Sequence, residues 1–176
     1  MVHSASTSNG RREEIMTVLR GIPDPEMPIS IVDLGLVERL EIARGVAGDR
    51  VDIDILPTFV GCPALPMIES DITTQVGAVD GIESVTVRFV HDPPWSVDRI
   101  SEAGRESLRT HGVTVPERGV GGSGGAPTVT LRTSAVPCPF CGSRATSLDS
   151  AFGPTRCRMI YYCDSCRNSF EHMKRV

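Results

Sequence analysis

Five of the six cysteines (Cys138, Cys141, Cys157, Cys163 and Cys166) fall in the last 39 residues, and the sixth, Cys62, lies 76 positions before the first of them. Cys138-Pro-Phe-Cys141 and Cys163-Asp-Ser-Cys166 form the frame C-x2-C-x21-C-x2-C. Each knuckle can set two sulfurs about 3.5–4 Å apart on one tetrahedral ion, and a hairpin between the knuckles would bring the two pairs together. Zinc suits a closed all-thiolate tetrahedron; iron in a rubredoxin-like site is the alternative occupant, and buried free thiols are the alternative without a metal. A structural ion would replace the hydrophobic core that so small a module lacks. Cys157, the fifth thiol of the tail, reads either as a small apolar core residue on the second hairpin strand or as an additional redox or metal-accepting thiol.

Cys62 has a different setting, Thr58-Phe-Val-Gly-Cys-Pro63, after a strand and before a helix. Pro63 suits the first helical position, which would make Cys62 the N-cap, where the positive end of the helix dipole favours thiolate. Gly61 allows close backbone approach, and Thr58 offers a hydroxyl from the strand end. Free cysteine is also commonly buried and inert, so position alone leaves both readings open. Asp24 and Glu26 sit in a proline-braced turn, and Asp33 before Gly35 could cap a turn or offer an oxygen beside a thiol. His91 and Asp92 read as polar residues that end a strand, and Trp95 as an anchor for the last helix.

The elements that must position these groups show in the periodicity. Ile15, Val18, Leu19 and Ile22 recur at i, i+3, i+4, i+7, an amphipathic helix ended by Gly21 and Pro23. Leu36–Ala43 reads as a strand, and Val51, Ile53 and Ile55 alternate with Asp52 and Asp54 as a half-buried strand with its acids outward. Leu65, Ile68, Ile72 and Val76 share a helical face, Val85, Val87 and Phe89 alternate as a further strand, and Ser101–His111 reads as a short helix. The order α-β-β-α-β-α predicts an α+β fold, a small mixed sheet with helices on one face. In the tail, strands at Ala145–Ser150 and Arg158–Tyr162 flank the turn signal Phe152-Gly-Pro154. The expected organisation is a disordered 1–10, an α+β domain over 11–116, a glycine-rich linker over 117–127 and a four-Cys ribbon over 128–176.

Charge and composition exclude several classes. The longest uncharged stretch, Ile55–Ile68, holds three prolines and is too short to span a bilayer. The polar opening residues have no apolar run of a secretory signal, so the expectation is a cytoplasmic protein. Residues 128–176 carry +4 and residues 1–127 carry −8. Four thiolates on a divalent ion would leave the tail near +2, weak footing for nucleic acid. No histidine has glutamate three residues before it, so the helical Glu-x-x-His of a carboxylate-bridged di-iron catalyst is missing from the sequence.

Asp24-Pro-Glu-Met-Pro-Ile-Ser-Ile-Val-Asp-Leu-Gly-Leu-Val37 followed by Thr58-x-x-x-Cys62-Pro63 resembles the metal–sulfur cluster assembly family. Asp92-Pro-Pro-Trp-Ser-Val-Asp-Arg-Ile-Ser-Glu-Ala-Gly-Arg105 and the four-Cys tail narrow the resemblance to the D-subunit family of phenylacetyl-CoA 1,2-epoxidase systems. It covers nearly the whole chain from about residue 11, apart from the linker. The resemblance implies an accessory role in aerobic phenylacetate degradation: maturing or maintaining a metal centre of the epoxidase components or their reductase, in company with iron–sulfur assembly machinery. It also implies that Cys62, Asp33 and Thr58 line a small pocket handling iron or a transient iron–sulfur cluster, a soft sulfur beside an exchangeable oxygen. The competing readings are the oxygenase catalyst itself and a zinc-ribbon module that only binds protein or nucleic acid. A homodimer is the assembly that the accessory reading allows for.

Overall fold

The structure, a computed structural model, describes residues 4–119 and 136–175. It divides into two compact units: residues up to Trp95 with Arg99–Gly104, and Ser96–Asp98 with the residues from Arg105 onward.

In the first unit, helix α1 (Ser4–Arg20) precedes strands β1 (Val37–Arg44) and β2 (Asp49–Ile55), helix α2 (Leu65–Gly77) and strand β3 (Ile82–Phe89). The sheet order is β1-β2-β3, with β2 antiparallel to β1 and parallel to β3. The α+β class expected from the periodicity is the observed one. Ile15, Leu19 and Ile22, Ile68, Ile72 and Val76, and Val51, Ile53 and Ile55 are each at most 1% exposed. The two helical apolar stripes and the alternating face of the central strand therefore share one core.

Two expectations are corrected here. The segment 1–10 does not stay outside regular structure, because α1 already begins at Ser4. Its first turns carry no apolar repeat, so periodicity could not reveal them. The acids of β2 do not both point to water. Asp54 is only 7% exposed and accepts from Arg39 Nε at 2.7 Å and Arg88 Nε at 2.8 Å, its register neighbours on the two flanking strands. Burial works against its charge, but the two guanidiniums outweigh it and hold the carboxyl below its ordinary range.

In the second unit, a 3₁₀ turn (Val97–Arg99) leads to helix α3 (Glu102–Thr110), whose first residues belong to the first unit; strands β4 (Val113–Thr114), β5 (Thr146–Ser150), β6 (Arg158–Cys163) and β7 (Ser169–Met173) follow. These strands form one sheet ordered β4-β7-β6-β5. The β5–β6 hairpin lies where the turn signal puts it. Residues 105–116, expected with the α+β domain, cluster with the ribbon, since Val113 and Thr114 pair in parallel with Glu171 and His172, and Glu171 N–H donates to the Gly112 carbonyl at 2.9 Å. Of the expected linker, residues 120–127 lie outside the described residues. Among the described residues no helix is long and apolar enough to cross a membrane.

Candidate metal centre and candidate thiol site

Two knuckles of the same local geometry build the four-Cys group. Cys138 N–H donates to the Ser143 carbonyl at 2.9 Å, and Cys163 N–H to the Asn168 carbonyl at 3.0 Å. Gly142 N–H returns to the Cys138 carbonyl at 2.9 Å, and Arg167 N–H to the Cys163 carbonyl at 2.8 Å. Both closing residues have positive φ, 72° at Gly142 and 58° at Arg167. Each loop thus turns its backbone around its own pair of sulfurs. The four Sγ atoms lie within 4.8 Å of one another, with two pairs between the knuckles, Cys138–Cys166 and Cys141–Cys163, both at 3.6 Å.

Four ligands about 2.3 Å from one tetrahedral ion stand about 3.8 Å apart, so the group fits a single thiolate-bound metal. The thiols also respond to one another. The Ser143 backbone favours the Cys141 thiolate, yet burial and the other three sulfurs push that thiol up to about 12. Asn168 donates to Cys166 and brings it down to about 6 against the effect of burial. One anion forms readily and discourages the next, which a bound cation would reverse. Cys138, Cys163 and Phe170 form the small apolar cluster beneath the site.

Cys157 lies apart from this group. It sits in the turn just before β6 rather than on the strand, is 5% exposed, and contacts Thr155 Oγ1 at 3.1 Å.

Cys62 is half-buried at the end of a tight turn. Its N–H donates to the Phe59 carbonyl at 3.2 Å, and Gly61 has φ 80° at the third position of that turn, where a type II turn requires it. The N-cap expectation is corrected. Helix α2 begins at Leu65 with Ala64 as N-cap, because the Leu65 N–H reaches the Cys62 carbonyl at 3.4 Å and closes one more turn first. Cys62 is therefore two residues before the cap, and the helix dipole, which fades within a turn, acts on it less than expected. Thr58 directly precedes this turn, and two apolar side chains near Cys62 in the chain are exposed, Val60 within the turn at 71% and Met67 in the first turn of α2 at 57%.

Asp33 belongs to a separate loop, and the structure surrounds its carboxylate with hydroxyls. Ser30 Oγ donates to Oδ2 at 2.9 Å and Ser101 Oγ to Oδ1 at 2.6 Å. No sequence signal marks the pairing with Ser101, which lies 68 positions away in the chain. The same loop is pinned further along. Trp95 Nε1 donates to the Leu34 carbonyl at 3.0 Å and Arg99 Nε to the Gly35 carbonyl at 2.8 Å, so Trp95 anchors this loop rather than the last helix. Asp24 is a turn brace, accepting from Glu26 N–H at 2.9 Å, while His91 and Asp92 are exposed at the end of β3.

Comparison with known proteins places both parts. Residues 12–89 match the family model described as an iron–sulfur cluster assembly protein, and residues 123–174 the model described as a PaaD zinc beta ribbon domain. A protein of Escherichia coli, named as the D component of a 1,2-phenylacetyl-CoA epoxidase, is 35% identical over 92% of this chain and 91% of its own. An Fe–S protein maturation auxiliary factor of Porphyromonas gingivalis is 32% identical over 51% of this chain and 83% of its own. The crystal structure of a domain of unknown function, DUF59, from Bacillus anthracis aligns with a TM-score of 0.52 and 28% identity, covering 60% of this chain and 97% of that one.

Proposed function

The chain belongs to the D-subunit family of 1,2-phenylacetyl-CoA epoxidases, and from that premise we propose that it is a cytoplasmic accessory factor which handles iron or an iron–sulfur cluster through Cys62 for a metal-containing component of the epoxidase system or its reductase. The carrying observation is the standing of Cys62 among the six cysteines. Four form one metal-binding group and Cys157 is buried, whereas Cys62 is half-buried and closes a glycine turn outside that group. It also lies inside the stretch that matches the iron–sulfur assembly model, as do Asp33 and Thr58.

In this reading iron is cargo. The Cys62 thiol loses its proton as its sulfur binds iron, Asp33 adds an exchangeable carboxylate oxygen, and Thr58 offers a hydroxyl from the residue just before the turn. The four-Cys group is a separate structural site. Zinc is the ion proposed for it, held by Cys138, Cys141, Cys163 and Cys166, because a closed thiolate tetrahedron leaves no position for chemistry. The ribbon then serves as a docking element toward protein, its modest positive charge being too small for nucleic acid.

The test is a Cys62→Ser strain. It should fail to grow on phenylacetate, with partner components purified from it deficient in iron, while the variant protein keeps about one zinc per chain. Normal growth with fully loaded partners would show Cys62 to be only a packing residue. The purified protein alone should show no turnover of phenylacetyl-CoA.

A further inference from the structure

We propose that Ser101 is the positioning residue of the Cys62–Asp33 site, an inference that rests on the reading of that site just given. A serine hydroxyl has one proton to donate and lone pairs to accept with. Ser101 stands immediately before α3 and accepts from Gly104 N–H at 2.9 Å, the bond of a helix N-cap. Its single proton is directed at Asp33 Oδ1, 2.6 Å away. Ser30 mirrors this from the other side, accepting from Asp33 N–H at 3.0 Å and donating to Oδ2 at 2.9 Å. Each carboxylate oxygen so receives one hydroxyl proton and keeps a lone pair for a cation.

The backbone leaves Asp33 little other freedom. Ser101 N–H donates to the Asp33 carbonyl at 2.9 Å, and a Cβ added at Gly104 would stand 3.0 Å from that carbonyl oxygen and 3.2 Å from Asp33 Cβ. The direction in which Asp33 presents its free lone pairs is consequently set by two hydroxyls, one of which is also the cap of α3. As a cap, serine can be replaced by aspartate, whose oxygen also accepts, and by glycine, which offers no acceptor but leaves the helix start open to water at little cost. Holding Asp33 needs a donor, which neither of those residues supplies.

That difference separates the two roles. The whole zinc-loaded chain is mixed anaerobically with increasing ferrous iron, and alkylation of Cys62 by iodoacetamide is read by peptide mass spectrometry, with folding followed by thermal unfolding. Wild type and Ser101→Thr should be protected at the same iron concentration. Ser101→Gly and Ser101→Asp, although folded, should need about tenfold more iron or beyond, the range seen when a group orienting a metal ligand is removed. Asp33→Asn should lose protection more fully. If Ser101→Gly and Ser101→Asp are protected like wild type while Asp33→Asn is not, Ser101 is only a cap and the proposal is overturned. If iron fails to protect wild-type Cys62, or Asp33→Asn is protected normally, the Cys62–Asp33 reading itself falls and takes the proposal with it.

Discussion

Gly142 and Arg167 occupy equivalent positions after the second cysteine of each knuckle, with φ of 72° and 58°. A side chain in this left-handed region costs about 1–2 kcal/mol. Nothing lies within 4 Å of a Cβ added at Gly142, so Gly142→Ala meets that cost without a clash. It should destabilise the metal-loaded ribbon by about 1 kcal/mol in denaturant titrations. Arg167→Gly removes the same strain at the other knuckle and should be neutral or stabilising by up to about 1 kcal/mol, glycine's greater unfolded entropy offsetting part of the gain. The cysteine spacing was wholly legible in the sequence, because metal ligation is local and repeats itself. The left-handed turn at Arg167 was hidden, because a long cation carries no conformational signal.

His172 on β7 is a second residue whose setting the sequence concealed. Burial, aided by Arg175, pushes its imidazole down to about 4, and its Nδ1 lies 2.8 Å from Thr114 Oγ1. The folded form therefore prefers the neutral ring. As pH falls from about 6.5 the unfolded chain takes up a proton that the folded chain refuses, so stability is full above that value and is lost progressively toward pH 4. The loss should reach about 2 kcal/mol by pH 5, and His172→Gln should flatten this part of the profile. Chemical denaturation at pH 7.5 and pH 5, with metal content checked at each, measures it.

Among the elements, those with a strong period were legible: the stripe Ile68, Ile72, Val76 gives α2 its buried face, and the alternation Val51, Ile53, Ile55 gives β2 its place. Elements that depend on a distant partner were not. Strand β4 has two residues and exists because β7 lies beside it. The start of α2 moved because the turn at Cys62 closes first, a matter of backbone hydrogen bonds that Pro63 did not reveal. The face of β2 opposite the core is likewise set across strands, where Arg39, Asp54 and Arg88 stand in register. Asp54→Asn leaves two guanidiniums facing an uncharged amide and should cost about 1–2 kcal/mol by urea unfolding at neutral pH. Asp52→Asn, with a half-exposed side chain 3.5 Å from Arg88, should cost less than about 0.5 kcal/mol. Because the Asp54 carboxyl is held below its ordinary value of 3.8, this contribution is present above that pH and disappears as pH falls below it.

For the whole molecule, the boundary between the two units has a consequence that the glycine-rich segment obscures. Composition places the break at residues 117–127, yet the ribbon unit takes in residues 105–116, in which Leu108 is completely buried and Val113 is 4% exposed. A chain ended at residue 116 keeps both side chains but loses the β7 strand beside Val113 and most of the unit to which they belong. A chain ended at Gly104 has neither. The shorter fragment should therefore be monomeric and bind little hydrophobic dye, while the 1–116 fragment, which leaves Val113 and the β4 edge without β7, should bind dye and self-associate. Light scattering and dye fluorescence on the two fragments decide it. If the 1–116 fragment is the better behaved of the two, residues 105–116 belong with the assembly domain after all, and the break lies in the glycine-rich segment.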